Sequence, residues 1–429
     1  MREYVADVAI LGAGPAGLAA AREIQRAGKT GLIIDDQPNA GGQIWRGGPA
    51  QADTARSRHA LAILSADGVY YLPRHQLVAA MSPYHLLLEG PHSAAHVHTR
   101  QLILATGARE RLLPFPGWTL PGVTGAGGLQ ALNKGGWPLA GKRVVLAGSG
   151  PLLLATAATL RRAGAKLSHV LEQTSFHQLA RFTNHLLDTP SKLWQAIPLG
   201  LPLLGRYHPS SHVLAAHGQD RLETVLVQQG ARQVTIPCDY LAVGFGLIPN
   251  TEAANLIGCQ LAGQFVATDY KQRTSVPDVF AAGEITGIGG ADKAIIEGRI
   301  AARTALNLPI PGSLIRQRLI QQHFVQQLAT CFALNPALLT LAKPDTLMCR
   351  CEDVPLSELM PYTSWRDAKL QTRCGMGACQ GRTCGPICHS VLGWETNSQR
   401  PPIFPARLST LASLEDRPRQ PQPHQEGAS

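Results

Sequence analysis

Aromatic side chains are scarce in this chain of 429 residues, 5% in all, which excludes a single-strand nucleic-acid binder built on stacking platforms. Basic residues outnumber acidic ones, 39 to 29, for a net charge of +10. They are dispersed without a run of five or more, so the excess suits anionic cofactors or an acidic partner rather than a nucleic-acid stripe. Long apolar runs are missing too. The most apolar later stretch, 193–204, is too short to span a bilayer and is broken by Pro198 and Pro202. Arg2, Glu3 and Asp7 surround the first apolar residues, which lead straight into a strand-like segment with no hydrophobic signal core. A cytoplasmic protein without an integral membrane segment is therefore expected. In that reducing setting the nine cysteines read as metal or redox chemistry more than as disulfides.

What is present is a core-forming composition, 45% hydrophobic and 16% charged. At roughly 150 residues per domain the length suggests about three domains. Glycine is abundant at 43 residues, well above the usual share of about 7%. The first motif comes at once. Residues 5–11 read as a buried strand, Gly12-Ala13-Gly14-Pro15-Ala16-Gly17 as the turn, 18–26 as a helix and 31–34 as a second strand ending in Asp35-Asp36. This is a βαβ unit with G-x-G-x-x-G at its first turn. Its glycines serve a tight turn, close approach to a pyrophosphate and helix–strand packing. The helix N-terminus offers N–H donors to phosphate, and Asp35 stands where a carboxylate binds ribose hydroxyls. Gly41-Gly42-Gln43 follows closely, then a strand ending in Ala105-Thr106-Gly107-Ala108, and much later Val279–Ala282 running into Gly283-Glu284 and a helix over 294–306.

A second such unit begins near residue 142. Residues 144–147 form the strand, Gly148-Ser149-Gly150-Pro151 the turn, 152–163 the helix, and 167–171 the next strand, ending in Glu172. Leu153 stands at the third glycine position, where it crowds helix against strand. Glu172 suits an unphosphorylated ribose 2′-hydroxyl. Two readings stay open: a site for NAD or another adenine nucleotide, and a retained Rossmann fold with an empty or repurposed pocket.

Six of the nine cysteines lie between Cys349 and Cys388. Structural zinc favours C-x₂₋₄-C pairs, and Cys384 with Cys388 qualifies. A C-x-C followed by cysteines among glycines suits a [2Fe–2S] cluster better, because glycine lets backbone N–H groups approach sulfur. Cys238, Cys259 and Cys331 are isolated and read as buried small hydrophobes. His177, His185, His208 and His212 match no metal spacing. No acid–base or nucleophile constellation is recognisable, and His75, Tyr84 and His185 stand as isolated candidates with no catalytic role assigned.

These motifs resemble the two-dinucleotide-fold flavoproteins of the pyridine nucleotide–disulfide oxidoreductase type, and the cysteine segment resembles the bacterioferritin-associated ferredoxin-like [2Fe–2S] domain. Asp36-Gln37-Pro38, Gly41-Gly42-Gln43, residues 244–250 and residues 283–290 are similar to the FAD-containing subunit of opine oxidase, hydrogen cyanide synthase and D-hydroxyproline or proline dehydrogenase complexes. The resemblance implies an α/β fold with two Rossmann-like dinucleotide-binding domains plus a small C-terminal iron–sulfur domain. An FAD domain would take 1–115 and 262–310, the second nucleotide domain 116–261, a helical connector 311–345, the [2Fe–2S] domain 346–395 and a tail 396–429, disordered from about 415. It puts Gly12, Gly14, Pro15, Ala16, Gly17, Asp35, Asp36, Gly42, Gln43, Thr106, Gly107, Gly283 and Glu284 around FAD. Glu284 stands where the family has aspartate on the ribityl chain. Gly148, Gly150 and Glu172 form the second nucleotide site. Cys349, Cys351, Cys379 and Cys384 are the implied cluster ligands, with Cys374 and Cys388 as alternates.

One family feature is missing. Neither the Gly41–Arg46 stretch nor the second domain carries the redox cysteine pair of the disulfide reductases, so thiol–disulfide reduction is excluded. The function implied is an FAD- and [2Fe–2S]-containing electron-transfer subunit of a dehydrogenase acting on an amino acid or opine. The substrate would be oxidised on a D-amino-acid-oxidase-like flavoprotein partner, and a further partner would be a small ferredoxin-like subunit. The alternatives are a stand-alone NAD(P)H-dependent FAD oxidoreductase and a non-catalytic scaffold.

Overall fold

The structure is a computed structural model that describes residues 2–52, 54–185, 194, 197–396 and 400–414, with only the backbone of residue 185. The disordered tail expected from 415 falls outside these residues. So does the side chain of His185.

The run Val8–Leu11 is apolar at every position and 0–4% exposed, as a central parallel strand covered on both faces requires. Its strand, Arg2–Leu11, pairs in parallel with Gly31–Ile34 on one side and Ala94–Leu104 on the other. Val69–Leu72 extends the sheet in parallel beyond Gly31–Ile34. The long strand Ala94–Leu104 is shared. Its second half carries Val279–Ala281 in parallel, and its first half pairs antiparallel with His85–Glu89, which in turn pairs with Gln76–Ser82. Thus a segment far along the chain completes the first sheet.

The second half repeats the plan. Tyr207–His208, Lys166–Glu172, Arg143–Gly148, Tyr240–Gly244 and Val123–Gly125 form a parallel sheet in that order, beside an antiparallel meander of Ser211–His217, Thr224–Gln229 and Arg232–Pro237. The chain crosses between halves through a two-stranded ribbon, Ala108–Glu110 with Leu247–Pro249. The α/β class with two dinucleotide-type folds, expected from the two βαβ motifs, is therefore the architecture of the molecule. Leu153 does not splay the second unit: it is fully buried against Gly244, whose missing side chain makes room for it.

Beyond the sheets, a helix Gly312–Cys331 and a short 3-10 turn Pro336–Thr340 lead to the cysteine-rich segment. That segment has no core of its own. Met348, Cys349, Trp365, Cys374 and Ile387 share one apolar cluster with Phe115, Trp118, Val145, Val225 and Leu241 of the second fold. The Trp118 indole N–H donates to the Leu347 carbonyl at 2.8 Å, and the Arg350 guanidinium stands over the Trp118 ring. No helix among the described residues is long and apolar enough to cross a membrane.

Two helices frame the first fold, Pro15–Arg26 and Gly290–Ala305. They touch backbone to backbone, since a Cβ on Gly298 would collide with the Ala16 carbonyl. Glu23, 3% exposed, accepts from Arg299 at 2.9 Å and Arg303 at 2.8 Å. Deeper in, Lys293 and Glu297 are 3% and 2% exposed. The Lys293 ammonium donates to Glu297 at 2.7 Å, to the Gly283 carbonyl at 2.8 Å and to the Thr286 hydroxyl at 2.8 Å. Glu297 also accepts from the Gly283 N–H at 2.9 Å and from the Thr286 hydroxyl at 2.7 Å. Removing the cation alone leaves a buried, uncompensated carboxylate. Lys293→Met is expected to cost about 3 kcal/mol or more, and Lys293→Met with Glu297→Leu to recover most of it. Urea unfolding of the two variants checks this; a single variant as stable as the parent would contradict it.

Candidate functional site

The first phosphate-type turn is shaped by backbone contact. Gly12 has φ of +110°, and a Cβ there would strike the Ala105 carbonyl, so only glycine lets the turn lie flat on the neighbouring strand. Gly14 differs. A Cβ on it would find only the Cα of Gly42, 3.9 Å away, and so would fit between the two glycine loops without a clash. Pro15 stands in the first turn of the helix, which begins with unpaired N–H groups. The Gly41 N–H donates to the Ala13 carbonyl at 2.8 Å and fixes the Gly41-Gly42-Gln43 loop opposite the turn. Asp35 is 8% exposed and accepts from the Ala13 N–H at 2.5 Å and the Gln37 N–H at 2.8 Å. Burial pushes its carboxyl up to about 6 against those two donors.

Two further loops converge here. The Thr106 hydroxyl donates to the Asn250 carbonyl at 2.6 Å, and the Asn250 amide returns a bond to the Thr106 carbonyl at 2.9 Å. Arg109 holds Asn250 at 2.7 Å and forms an ion pair with Glu252 at 2.8 Å. The turn at Gly283 lies against Ala16 and Ala294. Glu284 is engaged within the protein. Its carboxylate accepts from the Gly289 and Gly290 N–H groups at 3.1 and 2.7 Å, capping the helix Gly290–Ala305. Burial raises it, and the Lys293 charge and those two donors pull it back. Asn250, Arg109 and Lys293 belong to this site but carry no motif spacing in the sequence. Only the short G-F-G-L-I-P-N resemblance touches one of them.

At the second turn the neighbour is aromatic. Gly150 has φ of +90°, and a Cβ there would meet the Phe332 ring at 3.6 Å. Glu172 is fully buried and accepts from the Gly150 N–H at 2.8 Å, the Thr174 N–H at 3.0 Å and the Tyr207 hydroxyl at 3.3 Å.

The cysteines of the C-terminal segment are all free thiols. Cys349, Cys374 and Cys384 are buried with their sulfurs within 4.8 Å of one another, and Cys388 hydrogen-bonds to Cys374. Cys351 and Cys379 pair with each other at the more exposed side. The four ligands named from the resemblance thus fall into both groups, and Cys374 enters the buried one. Backbone N–H groups of Gly375, Glu352 and Cys351 point at the Cys349 sulfur against the cost of its burial. Burial also works to raise Cys379, but N–H donors from Thr383 and Gly381 and the Cys351 thiol bring it below its ordinary value. The Cys379 N–H donates to Cys351, and Cys384 opens the helix Cys384–Leu392. Such a set of sulfurs, ringed by N–H donors, fits an anionic iron–sulfur group. The glycines are needed for packing as well, since the Trp365 ring lies over Gly375 and Gly381. Of the isolated cysteines, Cys238 and Cys259 are buried and Cys331 is half-buried.

The cysteine loop leans on the first fold through Arg382. Its guanidinium donates to the Cys379 carbonyl at 3.2 Å and stacks on Phe404 at 3.9 Å. Burial holds Arg382 below its ordinary value; the carboxylates of Glu252 and Asp36 offset this and Arg109 adds to it.

Fold and loops together define a flavoprotein built on two dinucleotide folds. Residues 6–301 match the family described as pyridine nucleotide-disulphide oxidoreductase, and the chain belongs to that family; it is an FAD-dependent oxidoreductase. It is 31% identical to an opine oxidase subunit from Agrobacterium tumefaciens, covering 95% of this chain and 92% of the relative. It is 32% identical to hydrogen cyanide synthase subunit HcnB of Pseudomonas aeruginosa, covering 94% and 98%. Its fold is similar to that of L-proline dehydrogenase from P. horikoshii, with a TM-score of 0.65 at 18% identity, covering 96% of this chain and 80% of that one.

The space beside Gly14 gives a clean test of where the dinucleotide lies. Gly14→Val should fold normally and lose flavin absorbance, because a Cβ at this position meets only the Gly42 Cα, 3.9 Å away. A purified variant with undiminished flavin would contradict the placement.

Proposed function

We propose that this chain is the electron-transfer subunit of a multi-subunit dehydrogenase acting on a C–N bond, in an amino acid such as a D-amino acid, hydroxyproline, proline or glycine, or in an opine. The observation that carries it is the docking of the cysteine loop on the first fold. Arg382 joins Cys379 to the charges of Asp36, Glu252 and Arg109, and Arg109 leads through Asn250 to the Thr106 turn. That the opine oxidase and hydrogen cyanide synthase relatives are themselves named as subunits supports a complex.

In this reading Gly12, Gly14, Pro15, Ala16, Gly17, Gly42 and Gln43 line the FAD pyrophosphate and Asp35 the adenosine ribose, with Asp36 beside it. Thr106, Gly107 and Gly283 border the flavin end. Glu284 acts through the helix it caps. Cys349, Cys351, Cys379 and Cys384 hold the [2Fe–2S] cluster, because N–H donors aim at the first three and the fourth sits at a helix N-terminus. FAD supplies two-electron acceptance there and the cluster one-electron transfer. The protein's own part is to fix these groups side by side, with charged residues between them. Substrate oxidation then falls to a D-amino-acid-oxidase-like flavoprotein partner, which this basic chain meets by charge complementarity. A small ferredoxin-like subunit would receive electrons beyond the cluster.

Serine at Cys349, Cys351, Cys379 or Cys384 should abolish the cluster's visible and EPR signals, and serine at Cys374 or Cys388 should leave them. A dispensable Cys379 with an essential Cys374 would transfer the site to the buried group, and zinc without iron in metal analysis would remove the cluster from the proposal.

Purified alone and loaded with FAD and iron, the chain should show no amino-acid- or opine-dependent reduction of an artificial dye. Co-expression with its partner should restore it. Dye reduction by the single chain at the rate of the complex would place the substrate site here and end the electron-transfer reading.

A further inference from the structure

Helix Gly312–Cys331 and the residues after it run from the first fold to the mouth of the second. Near its start Arg318 donates to the Asp269 carbonyl at 3.2 Å. In mid-helix Val325 lies against Gly287 and Gly289, beside the late turn of the first fold. Past its end, Phe332 lies on Gly150, the second glycine of the second motif. In a nucleotide-loaded fold of this kind that glycine is where the backbone lets a pyrophosphate approach. Phe332 is held there firmly. Its ring meets Phe182 edge-on at 5.0 Å. The Gln173 side chain clamps the chain just after it, donating to the Ala333 carbonyl at 3.0 Å and accepting from the Asn335 N–H at 3.0 Å.

The acid that would meet the ribose is also taken up. Glu172 is fully buried, and its oxygens serve the Gly150 and Thr174 N–H groups and the Tyr207 hydroxyl. The Gly150 N–H, which a phosphate would need, is therefore already bonded within the protein. By contrast the neighbour of Gly14 in the first motif is no side chain but the backbone of another glycine, Gly42.

We propose that Phe332 is an internal plug occupying the pyrophosphate position of the second dinucleotide fold, and so the residue that makes this chain refuse NAD(H) and NADP(H) as electron donors. The inference stands on the second fold alone and is independent of which substrate the complex oxidises. The ring excludes the ligand by volume, and the aromatic and glutamine contacts keep it from swinging away.

Calorimetric titration of the full-length, FAD-loaded chain with NADH and NADPH tests it, alongside Phe332→Ala, Phe332→Leu and Phe332→Trp. The parent and the tryptophan variant should show no saturable binding. The alanine variant should bind with a Kd of about 1 mM or tighter, and the leucine variant, which keeps an apolar contact with Phe182, should lie between. Thermal melting and retained flavin absorbance confirm folding, and the leucine variant carries the test should alanine unfold. Saturable binding to the parent, or refusal by folded variants with the smaller side chains, overturns the plug. Binding to the parent without flavin bleaching would overturn the plug alone; bleaching of the parent by NADH would also overturn the electron-transfer reading.

Discussion

A buried lysine and a buried glutamate four residues apart set the geometry of the first fold. Their helix, Gly290–Ala305, can approach Pro15–Arg26 closely because Gly298 has no side chain, but close approach does not fix where the preceding turn goes. Lys293 does that, by directing its donors to Gly283, Thr286 and Glu297. A buried ammonium with fewer partners would cost several kcal/mol, whereas a fully bonded one is tolerated and rigid. The strand end at Ala281, the turn at Gly283 and the helix that follows are thereby locked into one piece facing Ala16. Glu284 adds to the same piece from the other side by capping the helix.

The two halves of the molecule set the same motif in different surroundings. In each, a carboxylate at the end of the second strand accepts an N–H from the glycine turn, Asp35 from Ala13 and Glu172 from Gly150. In each, proline opens the helix. What differs is the neighbour over the second glycine. At Gly14 it is the backbone of another glycine loop, at Gly42; at Gly150 it is the Phe332 ring. Retaining the second fold is still useful, because its sheet and meander supply the apolar surface on which the cysteine segment is built.

Much of this is legible in the sequence where local spacing carries the physics. The glycine turns, the apolar strands and the acids at their ends lie within one βαβ unit, and each is required by the backbone around it. Leu153 at the third glycine position looks disruptive when set against its own helix and strand alone. Its compensation, Gly244, is a long-range partner that no local pattern contains. The same limit applies to Phe332, which lies on a turn formed by residues far earlier in the chain. The cysteine ligands are hard to rank for a different reason. Six thiols in a short glycine-rich segment can be brought together in more than one way, and which of them face N–H donors depends on how Trp365 seats Gly375 and Gly381. Glu284 stands at a ligand-contact position by sequence, but its extra methylene lets it reach the helix N-terminus instead.

The link between the cysteine loop and the first fold is polar, and that has a physical consequence. Cys379, Arg382, Glu252, Arg109 and Asn250 are held by charge-assisted bonds and by the field between fixed ions. Away from bulk water such interactions are strong and directional. An apolar joint of equal area would tolerate sliding, but a guanidinium forked between a carboxylate and a carboxamide tolerates little. Arg109 joins Glu252 and Asn250 in this way, and Asn250 in turn holds the Thr106 turn. The Phe404 ring under Arg382 removes the remaining freedom, because a cation over an aromatic face gains most when it is desolvated. The cysteine loop thus meets the first fold through a handful of charges and one aromatic ring.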